Sequence, residues 1–210
     1  MGRAAAATLT ILLTSALMMS AQPDTPAWRI SEAPATFRAA ISRANVLRVE
    51  VHDALLSELQ TKLAKGGPAL ALRVCHMRAQ SAAREIARRD GIVTGLTSDR
   101  LRNPHNAVPG WAARLIASHA GARADAVEGY AVDLGPKVGI LQPITEAPVC
   151  AKCHGPTERI DPAVREELAR RYPADAAHGF RPGEVRGWFW AVVPKVVITQ
   201  LAEKDTRRFE

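Results

Sequence analysis

Gly66, Gly67 and Pro68 interrupt a long run of helical periodicity and constrain this chain more than any other local feature. Consecutive glycines weaken a helix, and a proline is tolerated only in the first turn of the next one. Upstream, from about Thr36 to Lys65, the residues Val46, Val49, His52, Ala54, Leu55, Leu59 and Leu63 recur at three- and four-residue steps. Downstream a second helix runs to about Asp90, with Gly91 placed as its C-terminal cap. The chain therefore begins with a long helical pair. "TSDRLRNPHNAVPG" is turn-rich and polar and reads as a loop, and "WAARLIASHA" as a third helix. The period then changes: "EGYAVDL" and "KVGILQPI" alternate like two strands joined at Gly135 and Pro136. "DPAVREELARRYP" is a short helix with Asp161 as N-cap and Pro162 in its first turn. "WFWAVVP" is an apolar strand, read as core in preference to an exposed edge that pairs two subunits into a homodimer. Helices followed by a small antiparallel sheet define an α+β domain.

The N-terminus sets the compartment. In "MGRAAAATLTILLTSALMMSAQPD" a single arginine, Arg3, precedes an uncharged apolar stretch that ends in small residues, the layout of a secretory signal peptide cleaved near Ala21. A retained membrane anchor is the alternative, and membrane association is expected only in that case. No twin arginine is present, so export as an unfolded chain is expected. The resulting organisation is a signal peptide (1–21), a Pro-rich linker (22–35), one domain (36–198) and a charged tail (199–210), working in the periplasm. The formal charge of +7 comes largely from arginines scattered along the chain. For an exported protein this does not indicate nucleic acid as a partner. It indicates a solvated helical face or, at Arg100 and Arg102, neutralisation of an anionic cofactor or partner.

"CAKCHG", Cys150 to Gly155, carries the chemistry, and the chain has only one other cysteine. A Cys150–Cys153 disulfide would be the plainest use of the pair. Thioredoxin-like exchange requires a helix start within a βαβ unit, whereas the pair here runs into "GPTERIDP", a loop pattern. Structural zinc requires four ligands, generally from two such pairs. C-x-x-C-H remains as the attachment motif of a c-type haem. Cys150 and Cys153 would add to the two vinyl groups, which carries His154 under the ring as proximal iron ligand. For the other axial position the candidates are Cys75, His52, His76, His105, His119, His178 and Met77, since Met18 and Met19 leave with the signal segment. On a helical wheel Leu72, Cys75, Ala79, Ala82 and Ile86 share one apolar face, opposite Arg73, Gln80, Arg84 and Arg88. His76 falls at its margin beside Ala83. Cys75 is therefore the first candidate, His76 the next and an open position the third, with a plain buried thiol as the non-functional reading of Cys75.

"CHMRAQSAAREIA", "GLTSDRLRNPHNAVPGW", "LQPITEAPVCAKCHGP" and "RRYPADAAHGFRPGEVRGWF" together resemble the Tll-like family of exported c-type haem proteins found in cyanobacteria and proteobacteria. The resemblance spans about Thr36 to Pro194. It implies a PAS-like fold, a small antiparallel sheet flanked by helices, with haem c held between the motif histidine and a cysteine of an N-terminal helix. Those positions are His154 and Cys75 here, with His76 as a ready alternative ligand. Arg100, Arg102 and Asn103 of "SDRLRNPHN" would then pair with the haem propionates, unless this is simply a solvated loop. The expected function is a redox or gas sensor, or a small electron carrier, with a separate redox or signalling partner outside the cytoplasm. A thiolate ligand favours ferric iron and a low potential. Two filled axial positions argue against an enzyme. The alternative is a small haem peroxidase with an open or labile sixth site and His52 or His76 as distal base.

Overall fold

The computed structural model describes residues 25–89 and 91–195. The signal-like segment 1–21 and the charged tail 199–210 lie outside the described residues, as do the side chains of residues 73–80, 82, 86 and 89, among them Cys75, His76 and Met77.

Helix α1, Arg38–Arg89, is two helices end to end, because Gly66 and Gly67 leave helical geometry and Gly67 takes φ 70. A positive φ is open to glycine at little steric cost. Ala83 and Ala87 share one buried cluster with Phe37, Ala40, Ala44 and Leu47. At 1.5 Å rise per residue, an unbroken rod would hold Ala87 roughly 60 Å from Ala44. The second arm must therefore double back along the first. It ends where expected, at Gly91 with φ 65, and Ile92 N donates back to Ala87 O.

The buried stripe on the first arm corrects the sequence reading. Phe37, Ala40, Ala44, Leu47 and Val51 are buried, whereas Val46 and Val49 are 58% and 47% exposed and His52 lies on the surface. Ala83, placed at the margin of the second arm's apolar face, is wholly buried, so that face is broader than the wheel suggested.

Five antiparallel strands form one sheet in the order β1-β3-β4-β5-β2. They are β1 (Ala27–Arg29), β2 (Val93–Thr97), β3 (Tyr130–Leu134), β4 (Lys137–Thr145) and β5 (Val185–Pro194). Strands β3, β4 and β5 were expected, although β5 begins three residues before "WFWAVVP". Strands β1 and β2 were not. The first is three residues of a Pro-rich stretch read as linker, and the second is short and carries Gly95. Gly95 has a packing reason, since a Cβ there would stand 2.8 Å from the Trp190 ring. Residues alternate along the inner strands. Val138, Ile140, Phe189, Ala191 and Val193 face α1, while Leu141 and Trp188 face Ile116 of α2 (Ala113–Ala117). "WFWAVVP" is thus an interior strand of the sheet. The expected third helix is reduced to α2 and the 3-10 turn before it.

Beyond a bulge at Ile144 and Thr145, β4 leads into a short helix, α3 (Ala151–His154), and then α4 (Pro162–Arg171). Asp161 caps α4 as expected, accepting from Ala163 N at 2.8 Å. Ile160, Val164, Leu168 and Tyr172 pack on Leu72 of α1. The second arm of α1 thus belongs to two cores, through Leu72 at one level and through Ala83 and Ala87 at another. The backbone of residues 73–82 runs between them.

Candidate functional site

The motif lies on one helical turn, with Cys150 as its N-cap. Cys153 N and His154 N both donate to Cys150 O at 3.0 Å. At 100° per residue Cys150, Cys153 and His154 fall on one side of that turn, and Ala151 and Lys152 on the other. Cys150 and Cys153 are not joined by a disulfide in this structure. Cys153 packs against the cluster that contains Leu72, three residues before Cys75 on α1, and α1 touches α3 directly.

His154 is fixed through one nitrogen. Its Nδ1 lies 2.8 Å from Ala177 O, which assigns the proton to Nδ1 and leaves Nε2 with its lone pair. Burial drives the imidazole well below its ordinary pKa, and the nearby Arg186 and Arg102 charges push the same way. The ring is therefore neutral, the state in which it can ligate a metal.

Arg102 ties this turn to the rest of the molecule. Its Nε donates to Asp175 Oδ2 at 3.0 Å, and its Nη2 donates to Cys153 O at 2.6 Å and to Ala177 O at 3.0 Å. Its Nη1 stands 3.5 Å from His154 Nε2. Asp175 also accepts from Ala177 N, so one carboxylate orients both the guanidinium and the carbonyl that holds His154. Arg100 lies 3.5 Å over the Phe180 ring, donates to His178 O and pairs with Glu184 at 3.7 Å. The Asn103 side chain accepts from His105 N and caps a turn. All three residues of the "SDRLRNPHN" loop thus have protein partners, and Arg102 alone touches the motif.

The other histidine candidates lie elsewhere. His52 and His105 are exposed, His119 is engaged with Leu115 O and Tyr130, and His178 meets Thr157. Cys75, His76 and Met77 have helical backbone, and their side chains are outside the described residues.

Sequence reasoning assigned no role to Asp175, Glu146 or Arg186. Glu146, after β4, is 1% exposed and lies 3.9 Å from the Nε of Arg186 on β5. Neither Glu146 oxygen has a hydrogen-bond partner, nor has Arg186 Nε. Burial pushes the Glu146 carboxyl up to about 7; Arg186, Arg102 and Arg100 oppose the rise and Glu184 adds to it. Burial lowers Arg186 from its ordinary value, against the pull of Cys150 and Glu146. All three lie inside strings that carry the family resemblance, but no local spacing marks any of them.

The fold and the motif together define a class: a single-sheet α+β domain that presents two thiols and one neutral imidazole from a turn braced by a half-buried Arg–Asp pair. Within that class, residues 22–194 match the family model described as Tll0287-like, and the chain belongs to this family. Among solved structures it is similar to the crystal structure of the cyanobacterial heme-protein Tll0287, at TM-score 0.57 and 20% identity, over 76% of this chain and 97% of that one. At that identity the likeness shows the fold. No curated protein matches the sequence significantly.

Proposed function

We propose that this protein is an exported c-type haem protein that works as a redox or gas sensor or as a small electron carrier, not as an enzyme. Cys150 and Cys153 would tether the porphyrin through thioethers, His154 Nε2 would ligate the iron, and Cys75 would supply the second axial ligand from α1. When bound, the haem supplies one-electron chemistry at its iron. One observation supports the reading: Ala177 O holds the Nδ1 proton of His154, so Nε2, 3.5 Å from Arg102 Nη1, keeps the lone pair a metal needs, and His154 shares the side of the turn that bears both thiols. The residues fit the group in further respects. The imidazole is neutral, Arg102 and Asp175 fix its support, and residues 73–82 of α1 run between two packed cores beside α3. Kinship with the cyanobacterial heme-protein Tll0287 supports the same cofactor.

Ligation from both sides leaves no free coordination position for a substrate. That favours sensing or electron transfer over peroxidase chemistry. Loss of one ligand on reduction would make a two-state element.

Optical and electron-paramagnetic spectra of the ferric protein, exported and matured with haem, test this. A pyridine haemochrome of c-type and a low-spin thiolate signature are expected. Cys75→Ala should convert the iron to high spin. A low-spin signal that survives this change but is lost in His76→Ala moves the ligand to His76. A wild-type protein already high spin, and shifting on addition of peroxide, would replace this reading with the peroxidase.

A further inference from the structure

The α3 turn has a second side that the haem reading leaves unused. Ala151, about 100° around the turn from Cys150, lines a cavity of about 370 Å³ together with Pro156, Arg159, Arg181 and Pro182. Two chain segments, one just after the motif and one just before β5, supply its walls, and they are stitched together. Phe180 N donates to His154 O at 3.0 Å and Gly179 N to Gly155 O at 2.8 Å. Pro156 and Pro182 stiffen the rims by fixing φ.

Arg159 and Arg181 are both exposed, and neither side chain makes an ion pair or hydrogen bond within the described residues. Arg100, Arg102, Arg123, Arg170, Arg171 and Arg186, by contrast, each have a carboxylate within 4 Å. The cavity wall is largely apolar, formed by an alanine, two prolines and the two arginines, and guanidinium groups without a carboxylate partner beside such a wall match a protein-binding surface, in which arginine is enriched and grips carboxylates bidentately. The net charge of +7 adds a long-range field of the matching sign.

We propose that this cavity docks an acidic partner protein, with a surface carboxylate of the partner entering between Arg159 and Arg181. The inference rests on the haem reading for its purpose: Ala151 lies between Cys150 and Cys153, so a partner seated there stands one residue from the first attachment point and two from the second. It is also one backbone hydrogen bond from His154, through Phe180.

The test uses the haem-loaded protein and a labelled oligoglutamate peptide, with binding followed by fluorescence anisotropy. The peptide should bind at low salt and weaken as salt rises. R159Q/R181Q should weaken it about tenfold or more, the scale of lost charge-assisted hydrogen bonds. R29Q/K137Q removes the same charge from exposed sites, Lys137 being at the end of β4 remote from the motif, and should change affinity less than about twofold. Equal losses in the two double variants would overturn the proposal, because the attraction would then be diffuse. Competition by free glutarate as effective as the peptide would also overturn it, in favour of a small-anion site. Haem content is measured separately by pyridine haemochrome. A haem-free protein whose peptide binding still depends on Arg159 and Arg181 would sink the haem reading and leave the docking surface standing.

Discussion

Arg102 is the residue on which the motif's geometry depends most, because its guanidinium meets Cys153 O, Ala177 O and Asp175 together. Arg102→Ala would strand Asp175, which is 11% exposed, and should lower stability by about 3–5 kcal/mol in a urea melt. Arg102→Lys keeps the charge without the fork and should fall between that variant and wild type. Glu146 gives a pH dependence of definite sign. Its carboxyl rises from an ordinary 4.5 to about 7 in the folded chain, so between those values the native state holds a proton that the unfolded state has released. Stability should therefore fall as pH rises from about 4.5 to 7, by at most on the order of 3 kcal/mol. Glu146→Gln should flatten that fall in melts across the same range; an unchanged slope would assign it to another group. The C-x-x-C-H motif was legible because its residues stand three and one positions apart on a single turn. It could not show Asp175, Glu146 or Arg186, whose partners are dozens of residues away and leave no local spacing.

At the scale of elements, breaks and caps were legible and faces were less so. Gly66 to Pro68, Gly91 and Asp161 act through their own backbone or nearest neighbours, and each stands where the chemistry of that residue type put it. The buried face of α1's first arm was misread because it is built largely of alanines, while two valines, Val46 and Val49, point outward and mimic a core stripe. The difference is measurable. Leu47→Ala should lower stability by about 2–5 kcal/mol, whereas Val46→Lys and Val49→Lys should each stay within about 0.5 kcal/mol. Leu168→Ala, in the cluster that joins α4 to Leu72 and Cys153, should also lose about 2–5 kcal/mol. With haem bound, it should broaden the low-spin signal more than Leu47→Ala does, since Leu168 packs beside the motif.

For the whole molecule, strand count and order were beyond the sequence. Strands β1 and β2 are short edge strands whose pairing is decided by β3 and β5, not by their own residues. Cys150, Cys153 and His154 occupy a single turn whose hydrogen bonds are local, whereas Cys75 lies far upstream on α1, a helix that meets α3 only in the finished fold. This separation implies an order of maturation. On the proposed reading, the bonds to porphyrin would form on an extended chain, and the helical pair would then close over a cofactor already in place. Cys75→Ala protein should accordingly carry haem at wild-type stoichiometry while its iron is high spin. On that reading the prosthetic group would serve as a folding template for the helical pair, and a chain that missed attachment would have to fold that pair without it.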